Sequence, residues 1–401
     1  MMTFLNYLEN KVYSCLSKKK TALIPLLVIV SLAVVIIVIT SVALTPFFQP
    51  RSGQPLKHDE ADRSRVATND SSTQTAAIIP TTIDVVSTTT AFPFVQRWAA
   101  QYENQQLPSS GNLNVDYLEE RQIRGANGSD SHLAIVGIPD ENNNTVYIPV
   151  SAQAVAIVYN IPAFPDIPSG LRLNSTMLYL ILNSSITRWN DAAIKDLNPS
   201  LNLPDERIVV VHSSDIDNSS SSSLALLNQY LGFQSISWPN DSLTASEPAE
   251  LAEMVRKIPY SVGYVDFSYA IQTRMTYAAI GDADGDYIIP STQSIGRGVD
   301  VALDFHNSSM DQSSSPQQQP PTINASRLVN GSYPIVGLYY ASLLANDHKE
   351  GQNAAALDFV QWIISEGGGQ QTLLEVQYPP IYPSNKQLAT YANTTMDTIS
   401  N

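Results

Sequence analysis

The chain has 401 residues, 43% of them apolar, with a formal net charge of −15 and one cysteine, Cys15. That length and apolar share suffice for one large or two medium domains. The acidic balance excludes a nucleic-acid partner, which needs a basic footprint, and a lone cysteine excludes an intramolecular disulfide.

Residues 1–20 are polar and end in Lys18-Lys19-Lys20, and Thr21 to Thr45 follows without a charge. A bilayer takes roughly 20 apolar residues as a helix. The lysines set the N-terminus on the cytoplasmic side. A cytoplasmic tail (1–20), one transmembrane signal anchor (21–45) and a disordered stalk (46–77) are therefore expected. Together they make a single-pass type II membrane protein whose C-terminal domain is extracellular or lumenal. A cleaved signal peptide ending near Ser41-Val42-Ala43 is the rival, but the apolar run exceeds the ~7–15 residues of a usual signal core.

The folded ectodomain is expected over 78–401. Strands are predicted at Ile83–Val86, Leu113–Tyr117, Val146–Val150, Arg207–His212, Val262–Val265 and Tyr333–Leu338, with an apolar run at Ala154–Tyr159. Helices are predicted at Phe94–Tyr102, Ser175–Leu182, Ala192–Leu197, Leu224–Leu231, Glu247–Arg256 and Ala354–Glu366. Such alternation implies an α/β fold. The tract 306–326 reads as a low-complexity surface insertion. Gly367-Gly368-Gly369 reads as a helix terminator, and Trp98, Trp189, Trp238 and Trp362 as core.

Glycosylation sequons occur at Asn69, Asn127, Asn143, Asn174, Asn183, Asn218, Asn240, Asn307, Asn324, Asn330 and Asn393, with none before the apolar segment. This pattern fits a secretory-pathway glycoprotein.

The five histidines, His58, His132, His212, His306 and His348, lie far apart, and no Cys/His spacing suggests zinc. Asp282, Asp284 and Asp286 imitate the start of a calcium loop but lack its later ligands, so a polar β-turn is expected there. No nucleophile elbow, zincin helix, phosphate loop or dinucleotide fingerprint is present. Neither a cofactor nor an enzymatic activity is expected.

The stretch 207–231, RIVVVHSSDIDNSSSSSLALLNQYL, reads as strand, serine loop and helix. The unpaired first amides of such a helix, with serine hydroxyls beside them, can hold an anion. A serine run that only caps a helix or acts as a spacer is the plainer reading.

Trp189 to His212 (WNDAAIKDLNPSLNLPDERIVVVH) resembles the phosphate-binding protein of bacterial ABC importers, a type II periplasmic-binding-protein fold. AFPFVQRWAAQY (91–102), AVAIVYNIP (154–162), IPYSVGYVDFSYA (258–270), YPIVGL (333–338) and ALDFVQWI (356–363) match in the same order. The resemblance implies two α/β lobes joined by crossover hinge strands, with the ligand in the cleft between them. Lobe one would combine 78–150 with 328–401, and lobe two would be 151–327.

The resemblance also implies a ligand set. Thr89 or Thr90 takes the place of the family's threonine before the first helix, and Ser221-Ser222-Ser223 that of its S-G-T turn. The family's glycine-rich serine turn is replaced by Glu119 to Gly125, its buried Asp by the acid-free run Ala134 to Pro139, and its Arg by His212-Ser213. The implied site is degenerate. Removing the ionic partner of a buried anion costs about 2–5 kcal/mol. Two functions remain open. In one, a membrane-tethered receptor binds phosphate or another small oxyanion through Thr89, Thr90, Ser213, Ser221, Ser222 and Ser223. In the other, the ectodomain has lost its ligand and serves as an interaction surface for a protein partner.

Overall fold

A computed structural model describes residues 82–105, 113–118, 122–123, 133–139, 145–162, 170–214, 222–232, 236–305, 319–328, 331–344, 350–382 and 384–400. The expected tail, membrane anchor and stalk lie outside these residues, as do Ser221, Asn69, Asn127, Asn143, Asn218, Asn307 and Asn330. Among the described residues, no helix is long and apolar enough to cross a membrane.

The first strand is β1 (Ile83–Thr88), followed by α1 (Phe92–Gln105), β2 (Leu113–Leu118), β3 (Leu133–Val136) and the 16-residue β4 (Thr145–Asn160). The middle of the chain supplies β5 (Arg172–Leu173), α2 (Ser175–Leu182), α3 (Ala192–Leu197), β6 (Val209–Ser213) and α4 (Ser222–Tyr230). Next come β7 (Leu243–Ala245), α5 (Pro248–Lys257), β8 (Ser261–Asp266) and α6 (Phe267–Gln272). The short strands β9 (Ala279–Gly281) and β10 (Tyr287–Ile288) precede α7 (Thr292–Ala302), β11 (Leu303–Asp304) and β12 (Thr322–Ile323). The chain ends with β13 (Val336–Leu344), α8 (Glu350–Ile364), α9 (Gly369–Glu375) and α10 (Lys386–Ser400).

Eight strands form one sheet in the order β2-β1-β3-β13-β4-β8-β6-β7. Strands β1, β2 and β3 are mutually parallel, and β6, β7 and β8 are also mutually parallel. β4 is long enough to serve both groups: Thr145 to Ala154 pairs with β13, and Val155 to Asn160 pairs with β8. Both pairings are antiparallel, as is that of β13 with β3, so the two groups run in opposite senses. Val136 at the end of β3 is level with Tyr340, itself level with Pro149, while Asp266 at the end of β8 is level with Val155. The C-terminal ends of both groups therefore converge on the middle of β4. In open α/β sheets that is where ligands bind.

Local chemistry explains the well-bounded elements. Asn174 and Asp191 cap α2 and α3 by accepting backbone N–H bonds from Met177 and Ala193. Pro248 opens α5, where its missing N–H costs nothing. In the core, Trp98 is fully buried and donates through Nε1 to the Gly369 carbonyl at 2.7 Å. Phe94 packs edge-on against Trp98, Tyr339 and Tyr378.

Some expectations need correction. The strand at 146–150 and the apolar run at 154–159 are one strand, continued through the buried polar residues Ser151 and Gln153. The strand expected at 333–338 begins at Val336 instead, because Pro334 has no N–H for a ladder. The tract 306–326 is not all surface insertion. Thr322–Ile323 pairs with β11, Ile323 is buried, and the Pro321 carbonyl accepts a bond from the buried Tyr340 hydroxyl at 2.9 Å. Trp98 and Trp189 are core, whereas Trp238 and Trp362 are half-buried. The aspartate-rich stretch is a turn in the β9–β10 hairpin: Asp282 Oδ1 accepts the N–H groups of Asp284 and Asp286, and Gly285 adopts φ +90°.

Candidate functional site

Two polar groupings stand where the strand ends converge. The first belongs to the serine helix. Ser222 and Ser223, the first residues of α4, are buried. Ser222 Oγ accepts a 2.7 Å bond from Gln153 Nε2 in the middle of β4. Gly137, just past β3, has Ser222 so close that an added Cβ would lie 2.5 Å from its Cβ. A side chain at position 137 would displace the serine, and glycine is what permits the approach. Gln153 is 1% exposed, and its Oε1 has no partner.

Ser213, at the end of β6, is half-buried, and its backbone N–H donates to the Tyr264 hydroxyl at 3.2 Å. Neighbouring His212 bonds through Nδ1 to the Ser213 carbonyl at 2.7 Å and through Nε2 to Ser242 Oγ at 2.9 Å. Its ring stacks on Trp238 at 4.2 Å. Burial lowers its pKa below the ordinary value, so it is neutral at pH 7 and brings no positive charge to the serine helix.

The second grouping is a cavity of about 70 Å³ beside the N-termini of α1 and α5. Thr89 and Thr90 lie in its wall together with Glu247, Asp266, Tyr269 and Tyr378, whereas Ser213, Ser222 and Ser223 do not. The expected ligand set is therefore divided: the threonines line this cavity, whereas Ser222 bonds Gln153 and neither Ser213 nor Ser223 lines the cavity.

Asp266 is the site residue that the sequence reading missed. It ends β8, caps α6 by accepting the Ser268 N–H at 2.9 Å, and is 2% exposed. Its Oδ2 accepts from the Tyr339 hydroxyl at 3.2 Å, and its Oδ1 lies 3.3 Å from the Tyr378 hydroxyl. Burial raises its pKa to about 6 against the opposing effect of these bonds. An aspartate between an apolar strand and a helix was the available signal, in Val265-Asp266-Phe267. Its burial depends on Tyr339 and Tyr378, far along the chain.

A family model described as a PBP superfamily domain matches residues 68–367. The chain belongs to the PBP superfamily. Among curated members, the phosphate-binding protein PstS of Xylella fastidiosa (strain Temecula1) is 28% identical over 321 residues, covering 75% of this chain and 82% of its own length. The PstS of Methanocaldococcus jannaschii is 26% identical over 330 residues, covering 72% and 80%. Among solved structures, a putative phosphate ABC transporter substrate-binding protein from Clostridium perfringens with bound phosphate superposes with a TM-score of 0.53 at 14% identity, over 75% of this chain and all of that one. A periplasmic phosphate-binding protein, PfluDING, gives 0.57 at 12% identity over 78% and 93%. These likenesses establish the periplasmic-binding-protein-like α/β fold.

Proposed function

We propose that this PBP-superfamily chain is a solute-binding receptor whose ligand is phosphate or another small oxyanion, held where the two strand groups converge on β4. The relatives it matches are named as phosphate-binding proteins, and the chain is a binding protein rather than an enzyme. The observation that carries the ligand reading is the buried start of α4, where Ser222 and Ser223 are buried and Ser222 bonds Gln153 in the middle of β4. Helix amides and hydroxyls there can hold an oxyanion without a formal positive charge. Ser213 and Ser221 complete the proposed donor set, and Thr89 and Thr90, expected with them, line the separate cavity beside α1. The proposed architecture is a type II fold with lobe one from 78–150 and 328–401 and lobe two from 151–327. Residues 21–45 tether it to a membrane, where it can hand its ligand to a membrane protein.

Thermal melting of the full-length protein during titration with phosphate and sulfate tests this. Ligand at 100 times its dissociation constant adds about 2.7 kcal/mol of stability. A rise in melting temperature with phosphate that Ser222→Ala abolishes supports the reading, and no rise up to millimolar anion refutes it.

A second reading, a fold kept as an interaction surface without a ligand, is favoured by one specific observation. Ser222 Oγ already has an internal partner in Gln153.

A further inference from the structure

The cavity beside α1 and α5 has chemistry opposite to that of an oxyanion site. Two carboxyl groups line it, those of Asp266 and Glu247, and no Lys, Arg or His does. Glu247 precedes α5 and makes no side-chain capping bond, so its carboxylate is not committed to the helix. The ion pairs among the described residues, such as Arg97–Glu375 and Lys257–Glu253, involve neither acid. Asp266 is thus a buried carboxyl with hydrogen bonds and no cation, although buried charges are ordinarily paired.

The remaining wall suits a positive group. Tyr378 donates its hydroxyl proton to the Thr90 carbonyl at 2.7 Å, and its oxygen can also accept. Tyr269, Tyr378 and Pro93 also line it, and aromatic rings beside a cavity can attract an ammonium. At about 70 Å³ the space holds an ammonium with a few carbons, while a phosphate would meet two carboxylates without a counter-charge.

We infer that the cavity formed by Thr89, Thr90, Asp266, Glu247, Tyr269 and Tyr378 is a binding site for the ammonium head of a small primary amine, separate from the oxyanion site proposed at α4. Asp266 forms the buried ion pair with it, and Glu247 adds attraction at the mouth. The groups around Asp266 that can titrate are Glu247 and the phenols of Tyr269, Tyr339 and Tyr378. Burial raises the Tyr378 phenol well above its ordinary value. Acidification from pH 7 to pH 5 therefore acts at the site through Asp266, whose proton competes with the amine.

Calorimetric titration of the full-length protein with methylammonium, ethylammonium and propylammonium chlorides tests this, with sodium chloride as the ionic-strength control. Saturable binding of at least one amine at pH 7 is expected, and a value of about 6 for Asp266 makes it about tenfold weaker at pH 5. Asp266→Asn should abolish binding. Ala249→Leu, a change at an exposed position on the cavity rim, should weaken it at least tenfold without touching the core. No saturable binding of any amine, or unchanged binding in both variants, overturns the inference. A parallel titration with inorganic phosphate, read against Ser222→Ala, separates the fate of this site from that of the α4 site.

Discussion

Tyr378 bridges the start of the domain and the end of β8: its hydroxyl donates to the Thr90 carbonyl at 2.7 Å and stands 3.3 Å from Asp266 Oδ1. Its one proton serves both acceptors, the nearer Thr90 carbonyl and the more distant Asp266 Oδ1. Burial raises the pKa of Asp266 to about 6 against the effect of these hydrogen bonds. A carboxyl that holds its proton more tightly in the folded state stabilises the fold below its unfolded value, and that stability is lost as pH rises through about 6.

Asp266→Asn should remove this slope. A change of about 2 units is worth about 3 kcal/mol. Between pH 4 and pH 7 the stability of wild type relative to the variant should fall by up to that amount. Denaturant melts at the two pH values measure it. A difference that is independent of pH would show that Asp266 ionises as readily when folded as when unfolded.

His212 has the opposite sign. Its pKa is lowered by burial, so the unfolded state binds the proton more readily and folded stability drops as pH falls below the ordinary histidine value. Burial moves its protonation below the range of an ordinary histidine, so it is a weak source of positive charge for α4 near neutral pH. Phosphate affinity should therefore show no gain between pH 7.5 and pH 6 beyond that expected from phosphate's own protonation. A gain that disappears in His212→Gln would assign the missing positive charge to this residue.

Gly137→Ala tests the packing at the serine helix. The new Cβ would be 2.5 Å from the Ser222 Cβ and 3.0 Å from Gln153 Oε1, so the helix start must move. Overpacking of this kind costs about 1–3 kcal/mol. A matching loss is expected in urea melts, together with loss of any phosphate-induced rise in melting temperature. An unchanged midpoint would mean that α4 can shift without penalty.

The fold was legible wherever local chemistry decides it. α2 and α3 begin and end where the sequence places them because Asn174 and Asp191 are caps beside apolar helical positions. The break read inside β4 arose from Ser151 and Gln153, polar residues that a strand buries only when other parts of the fold receive them, as Ser222 receives Gln153. α10 escaped notice because four threonines, with Asn393 and Asp397, interrupt its apolar positions, although Leu388, Tyr391, Ala392, Thr395 and Met396 make a buried face at helical spacing. The site was half legible. Thr89, Thr90 and the serines came from a resemblance in text, which could not show that they belong to different groupings. Asp266 was in view as a residue, but its burial comes from tyrosines more than 70 positions away.

The expected membrane topology has a consequence for the surface of the described domain. Asn240 lies in an exposed turn and Asn393 is exposed on α10, so a glycan on either meets solvent rather than core. Asn324 differs, because its Nδ2 donates to Asp304 Oδ2 at 3.2 Å, the atom to which a sugar would attach. In a secretory host the full-length protein should therefore shift in gel mobility on treatment with an asparagine-glycan hydrolase, and Asn240→Gln and Asn393→Gln should each remove one step of that shift. Both substitutions are at exposed positions, where stability changes stay within about 0.5 kcal/mol, so the readout is not confounded by misfolding. No shift in the wild type would count against the orientation expected from Lys18-Lys19-Lys20.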